Sequence, residues 1–88
     1  MGGGILPVAT HRNNIYLFFG RETLIGNSKD AGLWSDFGGS KDKNETHFET
    51  ALREGYEELS GILGNKSRLK YLMNNKTIGK ITLNGYMT

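Results

Sequence analysis

Hydrophobic residues along this chain come in short bursts. "ILPVA" (5–9) and "IYLFF" (15–19) are rich in β-branched and aromatic side chains and flank the turn-like "THRNN", which predicts two strands or a hairpin. Gly20 closes the second run, and the polar, glycine-punctuated stretch from Arg21 to Leu33 predicts a loop. "LWSDF" (33–37) then predicts a short strand running into Gly38 and Gly39, with Trp34 and Phe37 expected in the core. A final strand is expected from about Lys80 onward.

One segment changes period from two to that of a helix. Thr46-His-Phe-Glu49 fits a capping box, in which the threonine hydroxyl and the glutamate carboxylate satisfy each other's orphan backbone donors. Phe48, Ala51, Leu52 and Leu59 follow at spacings that share one face, and Gly61 with Ile62 supplies a stop. These signals predict a helix over 47–60.

Composition narrows the classes available. At 88 residues the chain is one small domain, with neither an internal repeat nor a low-complexity linker. Without cysteine it has no disulfide framework, no thiolate zinc site and no thiol nucleophile, the usual intracellular pattern for an unstapled domain. No apolar run approaches a membrane span, and "MGGGILPVAT" lacks the basic start and apolar core of a signal peptide. The expectation is a soluble, intracellular, cytoplasmic protein with no membrane partner. Met1-Gly2 opens like a myristoylation signal, but Leu6 stands where that signal needs Ser or Thr. Three Asn-x-Ser/Thr matches, at Asn44, Asn65 and Asn75, are read as chance in an asparagine-rich chain.

The net charge of +2 conceals an uneven distribution. Five of the nine acids (Glu45, Glu49, Glu54, Glu57, Glu58) fall within fourteen positions, whereas residues 59–88 carry Lys66, Arg68, Lys70, Lys76 and Lys80 and no acid. Such asymmetry suits a metal-holding patch beside a phosphate-attracting one, or simply a solvated basic face.

The acids sit awkwardly for a helix. Glu54, Glu57 and Glu58 stand at i, i+3 and i+4 near a C-terminal end whose unpaired carbonyls already carry partial negative charge. Arg53 offsets part of this, with Glu49 and Glu57 as its expected partners four residues to either side. Mg²⁺ is the natural compensator, because a hard cation takes carboxylate oxygens, water and substrate phosphates. An exposed acidic face without a ligand is the competing reading. A calcium loop counted from Asp42 fails, with His47 at the sixth position and Arg53 at the twelfth, and no P-loop run exists. His11 and His47 have no metal-ligand partner at helical spacing and are expected at the surface.

The stretch "GGSKDKNETHFETALREGYEELSG" resembles the Nudix box. Gly39, five residues, Glu45, seven residues, Arg53-Glu54 and then Glu57-Glu58 match that pattern in register, and the resemblance extends over 39–62. It implies a Nudix-like α/β/α sandwich in which a loop–helix–loop holds divalent metal, Mg²⁺ or Mn²⁺, over a diphosphate. The implied activity is hydrolysis of a diphosphate linkage in a nucleoside diphosphate derivative or capped RNA. By that resemblance Glu54, Glu57 and Glu58 would ligate the metal, with the backbone carbonyl of Gly39 as a further ligand. Arg53 would orient the glutamates, and the general base stays open between Glu45 and Glu54. "FFGRE" and "WSDFGG" further resemble Nudix proteins of large DNA viruses, some of which remove mRNA caps.

Three departures from the family pattern carry expectations. Gly55 replaces a bulky aliphatic residue, which would weaken helix packing and cost up to about 1 kcal/mol relative to alanine. Ser60 stands where the family has glycine, as though the terminal turn were displaced by one residue. The box covers about a quarter of the chain, and the family's domain continues beyond it with further strands and a second helix. A single partial domain over 1–88, the N-terminal part of an incomplete sandwich, is therefore expected, with a second copy able to complete it by swapping. The alternative is a non-catalytic Nudix-like fragment that binds nucleotide or a protein partner.

Overall fold

The computed structural model describes residues 1–21 and 32–88. In chain order they form β1 (Gly2–Ile5), β2 (Val8–His11), β3 (Asn14–Leu17), β4 (Gly20–Arg21), β5 (Trp34–Ser35) and β6 (Phe37–Ser40). Helices α1 (His47–Leu59) and α2 (Lys66–Asn75) follow, and β7 (Thr82–Leu83) and β8 (Tyr86–Met87) end the chain. The fold is mixed α/β. Two compact units can be distinguished, one of residues 1–5 with 37–88 and the other of residues 6–36.

The first unit is built on a sheet of order β6-β1-β8-β7. β1 runs antiparallel to β6 and parallel to β8, and β7 and β8 form a hairpin, so the sheet is mixed. The hairpin turns at Asn84 and Gly85, both with positive φ, as a two-residue turn matched to strand twist requires. The single final strand expected from Lys80 is thus two short ones, and the Asn-Gly pair at their junction was the overlooked signal.

β1 is the least foreseeable strand, because Gly-Gly-Gly-Ile is poor strand sequence. Its reason lies above it. α1 packs across β1 and β6, and a Cβ at Gly3 would lie 2.5 Å from the carbonyl oxygen of His47. The bare backbone lets the helix settle directly on the strand. The expected strand over 5–9 is accordingly divided: Ile5 ends β1, Val8 begins β2, and Pro7, which has no N–H to give a ladder, lies between.

α1 matches its predicted start. Thr46 caps it, accepting from Glu49 N while the Glu49 carboxylate accepts from Thr46 N at 2.9 Å. Ala51, Leu52 and Leu59 are buried and Phe48 is half-buried, as the face predicted. The buried set also includes Thr50 and, from α2, Leu69. α2 was not foreseen. Its signals were Asn65, whose side chain accepts from Arg68 N at 2.8 Å as an N-cap, and the spacing of Leu69, Leu72 and Met73.

Two expectations about α1 are corrected. Gly55 does not loosen the packing: it is buried, and a Cβ there would collide with the Ile5 side chain, which occupies the room a larger residue would need. The terminal turn is not displaced either, since Ser60 itself adopts the left-handed conformation (φ 52°, ψ 36°) and donates its N–H to Tyr56 O and Glu57 O.

In the second unit β2 and β3 pair from Val8↔Leu17 to His11↔Asn14, turning at Arg12 and Asn13 with positive φ. The predicted hairpin is present, shifted along the chain, and all eight of its strand residues are exposed. β4 and β5 form a second short pair. Most of the loop expected between Arg21 and Leu33 lies outside the described residues. Trp34 is not core: it is 66% exposed, with the Arg21 guanidinium 5.5 Å from its ring centre. A two-strand ribbon has no second layer of its own to cover an indole. Phe37 is half-buried in the first unit.

Two substitutions test these packing arguments. Ser60→Gly removes a left-handed strain and should stabilise the protein by about 0.5–1 kcal/mol, read as a higher midpoint of urea unfolding. Gly55→Leu overpacks the helix against Ile5 and should cost about 1–3 kcal/mol. Adding Ile5→Ala to it should recover part of that loss in the same measurement.

Candidate metal centre

The candidate site begins in the loop between β6 and α1. Glu45 N donates to Asp42 O at 3.2 Å, and Asp42 N donates to the Glu45 carboxylate at 2.8 Å, so the loop folds back on itself around that side chain. Thr50, fully buried one turn into α1, shares its one hydroxyl proton between Glu45 Oε1 and Thr46 O, each 3.1 Å away. Glu45 is thereby held by contacts that do not involve Arg53.

Arg53 joins three parts of the fold through one planar group. Its Nε and Nη2 each donate to the Glu45 carboxylate at 2.8 Å in a two-pronged pair. Nη1 donates to Glu54 Oε1 at 2.6 Å, and Nη2 also donates to Ser40 O, the end of β6, at 3.1 Å. Asp42 lies 3.4 Å away on the solvent side. The expected partners, Glu49 and Glu57, are therefore replaced. Glu49 spends its carboxylate on the helix cap, and an exposed i, i+4 pair is worth only a few tenths of a kcal/mol (about 0.2–0.5), less than a charge-assisted fork offers.

Protonation follows from these bonds. The Arg53 fork, then the Asp42 N–H and the Thr50 hydroxyl, push the Glu45 carboxyl down to about 2. Two carboxylates, Glu45 foremost and then Glu54, hold Arg53 more firmly protonated than usual. Glu49 is also lowered, chiefly by the Thr46 backbone N–H.

Glu54 is one of the points at which helix and sheet meet. A Cβ at Gly39 would lie 2.6 Å from Glu54 Oε2, so glycine at 39 is what seats this carboxylate against β6. The Gly39 carbonyl lies against Gly2 on β1, in register with the Gly3↔Gly39 pairing of the ladder. Glu57 and Glu58 are exposed on the next turn. Successive side chains rotate by about 100°, so positions 54, 57 and 58 fall within roughly 100° of arc on one face.

The donor set fits a hard divalent cation in kind: three carboxylates on one helix face, one of them already fixed in orientation. Among the described residues no three acidic or histidine side chains already converge as a metal cage. Holding an ion would require the exposed Glu57 and Glu58 side chains to turn toward Glu54. His47 takes no part. It is half-buried rather than at the surface, and its Nδ1 lies 2.8 Å from Gly2 O, a carbonyl that can only accept, so Nδ1–H donates. His11 is exposed on β2, as expected.

Acid stability should reveal the Glu45 clamp. Because folding lowers the Glu45 pKa from 4.5 to about 2, its stabilising contribution is complete above about pH 4.5 and is lost as pH falls through about 2. Urea midpoints should therefore decline across that window, and Glu45→Gln should flatten the decline, leaving the smaller share that Glu49 contributes.

Compared with protein-family models, with curated proteins and with solved structures, the chain matches none of them.

Proposed function

We propose that this chain is a divalent-metal-dependent hydrolase of the Nudix type, folded as part of an α/β/α sandwich, that cleaves a diphosphate linkage in a nucleoside diphosphate derivative or capped RNA. The observation that carries the reading is the Arg53 fork. It joins Glu45 and Glu54, two positions of the resembled motif, while Gly39, a third, makes room for Glu54. A helix that merely faced solvent would need neither the fork nor the bare glycine.

In this reading Glu54, Glu57 and Glu58 hold Mg²⁺ or Mn²⁺ with the backbone carbonyl of Gly39 as the further ligand the resemblance implies, and the missing side chain at Gly39 leaves room for Glu54. A bound divalent ion would offset charge on the diphosphate oxygens and lower the pKa of a coordinated water. Arg53 keeps Glu54 in one orientation, because a planar fork bound on both prongs cannot swing as a lysine would. Glu45 is a positioning residue: a carboxylate whose pKa is near 2 is too weak a base for work near neutral pH. Of the two candidate bases Glu54 is favoured, since Arg53 is bonded to its Oε1 and the other oxygen can still accept.

The test is phosphate release from a panel of nucleoside diphosphate derivatives and capped RNA, with and without Mg²⁺ or Mn²⁺. Metal-dependent release is expected, falling by about 100-fold or more in Glu58→Gln, the loss of several kcal/mol that a metal ligand supplies. Metal affinity, titrated separately, should fall in the same variant. Metal binding without turnover on any substrate would favour the non-catalytic alternative. Unchanged metal affinity in Glu58→Gln would reject the metal site.

A further inference from the structure

We infer that the solvent face of α2 is a binding surface for single-stranded nucleic acid. From Leu59 to Thr88 the chain carries Lys66, Arg68, Lys70, Lys76 and Lys80 and not one Asp or Glu. All five cations are exposed. With about 100° between successive residues, burying Leu69 places Ser67, Tyr71 and Asn74 along the middle of the outer face. Lys66 and Lys70 flank that strip on one side and Arg68 on the other.

The strip has a built centre. Tyr71 is half exposed, and the Arg68 guanidinium lies 5.9 Å from its ring centre. The Arg68 stem is pressed against Gly64, where a Cβ would come within 2.9 Å of Cγ, so the side chain is steered along the helix rather than left to wander. A cation held beside an exposed aromatic ring suits a strand that offers phosphate and a base face together. A bilayer is less well matched, because the middle of this helix face is polar and has no aliphatic side chain to insert.

One acid on α1 faces a cation of this surface. Lys70 lies within the field of Glu49 on α1, which is lowered partly by that lysine. Lys66, Arg68 and Lys70 are the cations that border the strip. None of this depends on the carboxylates of α1 turning over a substrate.

The experiment is fluorescence anisotropy of a labelled single-stranded oligouridylate titrated with the intact chain in metal-free buffer containing EDTA, over a series of salt concentrations. Omitting metal separates this surface from any strand captured at the carboxylates. Affinity should fall with salt, and Lys66→Gln or Arg68→Gln should each make the slope of log K against log salt shallower by about 0.7, the value of one phosphate contact on a single strand. Tyr71→Ala should weaken binding about tenfold, as loss of a stacking partner does, and Tyr71→Phe should restore most of it. These side chains are exposed, so urea midpoints should be unchanged. No measurable binding, or binding that none of these substitutions weakens, would overturn the inference. So would affinity for anionic phosphatidylserine vesicles in place of the strand.

Discussion

One guanidinium holds the site region together. Arg53 sits in the middle of α1, yet its donors end on the loop that precedes the helix, on the last carbonyl of β6 and on its own neighbour Glu54. Each contact alone would be modest. Together they fix the angle at which the loop enters the helix, because a planar group with five donors satisfies three directions only in one orientation. Glu45 matches it from the other side, accepting from Arg53, from Asp42 N and from the fully buried Thr50.

That orientation matters only because α1 lies so close to the sheet. Gly3, Gly39 and Gly55 each leave space where a side chain would strike the opposing layer: the His47 carbonyl, the Glu54 carboxylate and the Ile5 side chain respectively. Removing methyl groups from an interface sacrifices apolar burial, and among the described residues the buried apolar side chains are Ala51, Leu52, Leu59 and Leu69. What is gained is proximity. Glu54 can rest on the backbone of β6 while still reaching Arg53, which a wider helix–sheet spacing would not permit.

The signals that were legible in the sequence involve neighbours along the chain. The capping box at Thr46 and Glu49, the buried face of α1 and the hairpin around Arg12 and Asn13 all depend on residues a few positions apart. The Asn65 cap of α2 and the Asn84-Gly85 turn carried equally local signals, but the short elements beside them have too few apolar positions to show a clear period. Ser60 shows the opposite failure: a glycine rule read strictly gives a shifted turn, whereas serine tolerates the left-handed conformation at a modest cost.

The sequence by itself determined the spacing of Gly39, Glu45, Arg53, Glu54, Glu57 and Glu58, and it placed the last four on a helix, because periodicity and capping are properties of adjacent residues. Only the tertiary structure decided who pairs with whom. Arg53 turned from the helical neighbours Glu49 and Glu57 to Glu45, Trp34 stayed in solvent, and three glycines became a strand beneath a helix. Those outcomes depend on which surfaces meet across the fold, and a fork bound on both prongs or a helix resting on bare backbone exists only once distant segments have been brought into contact.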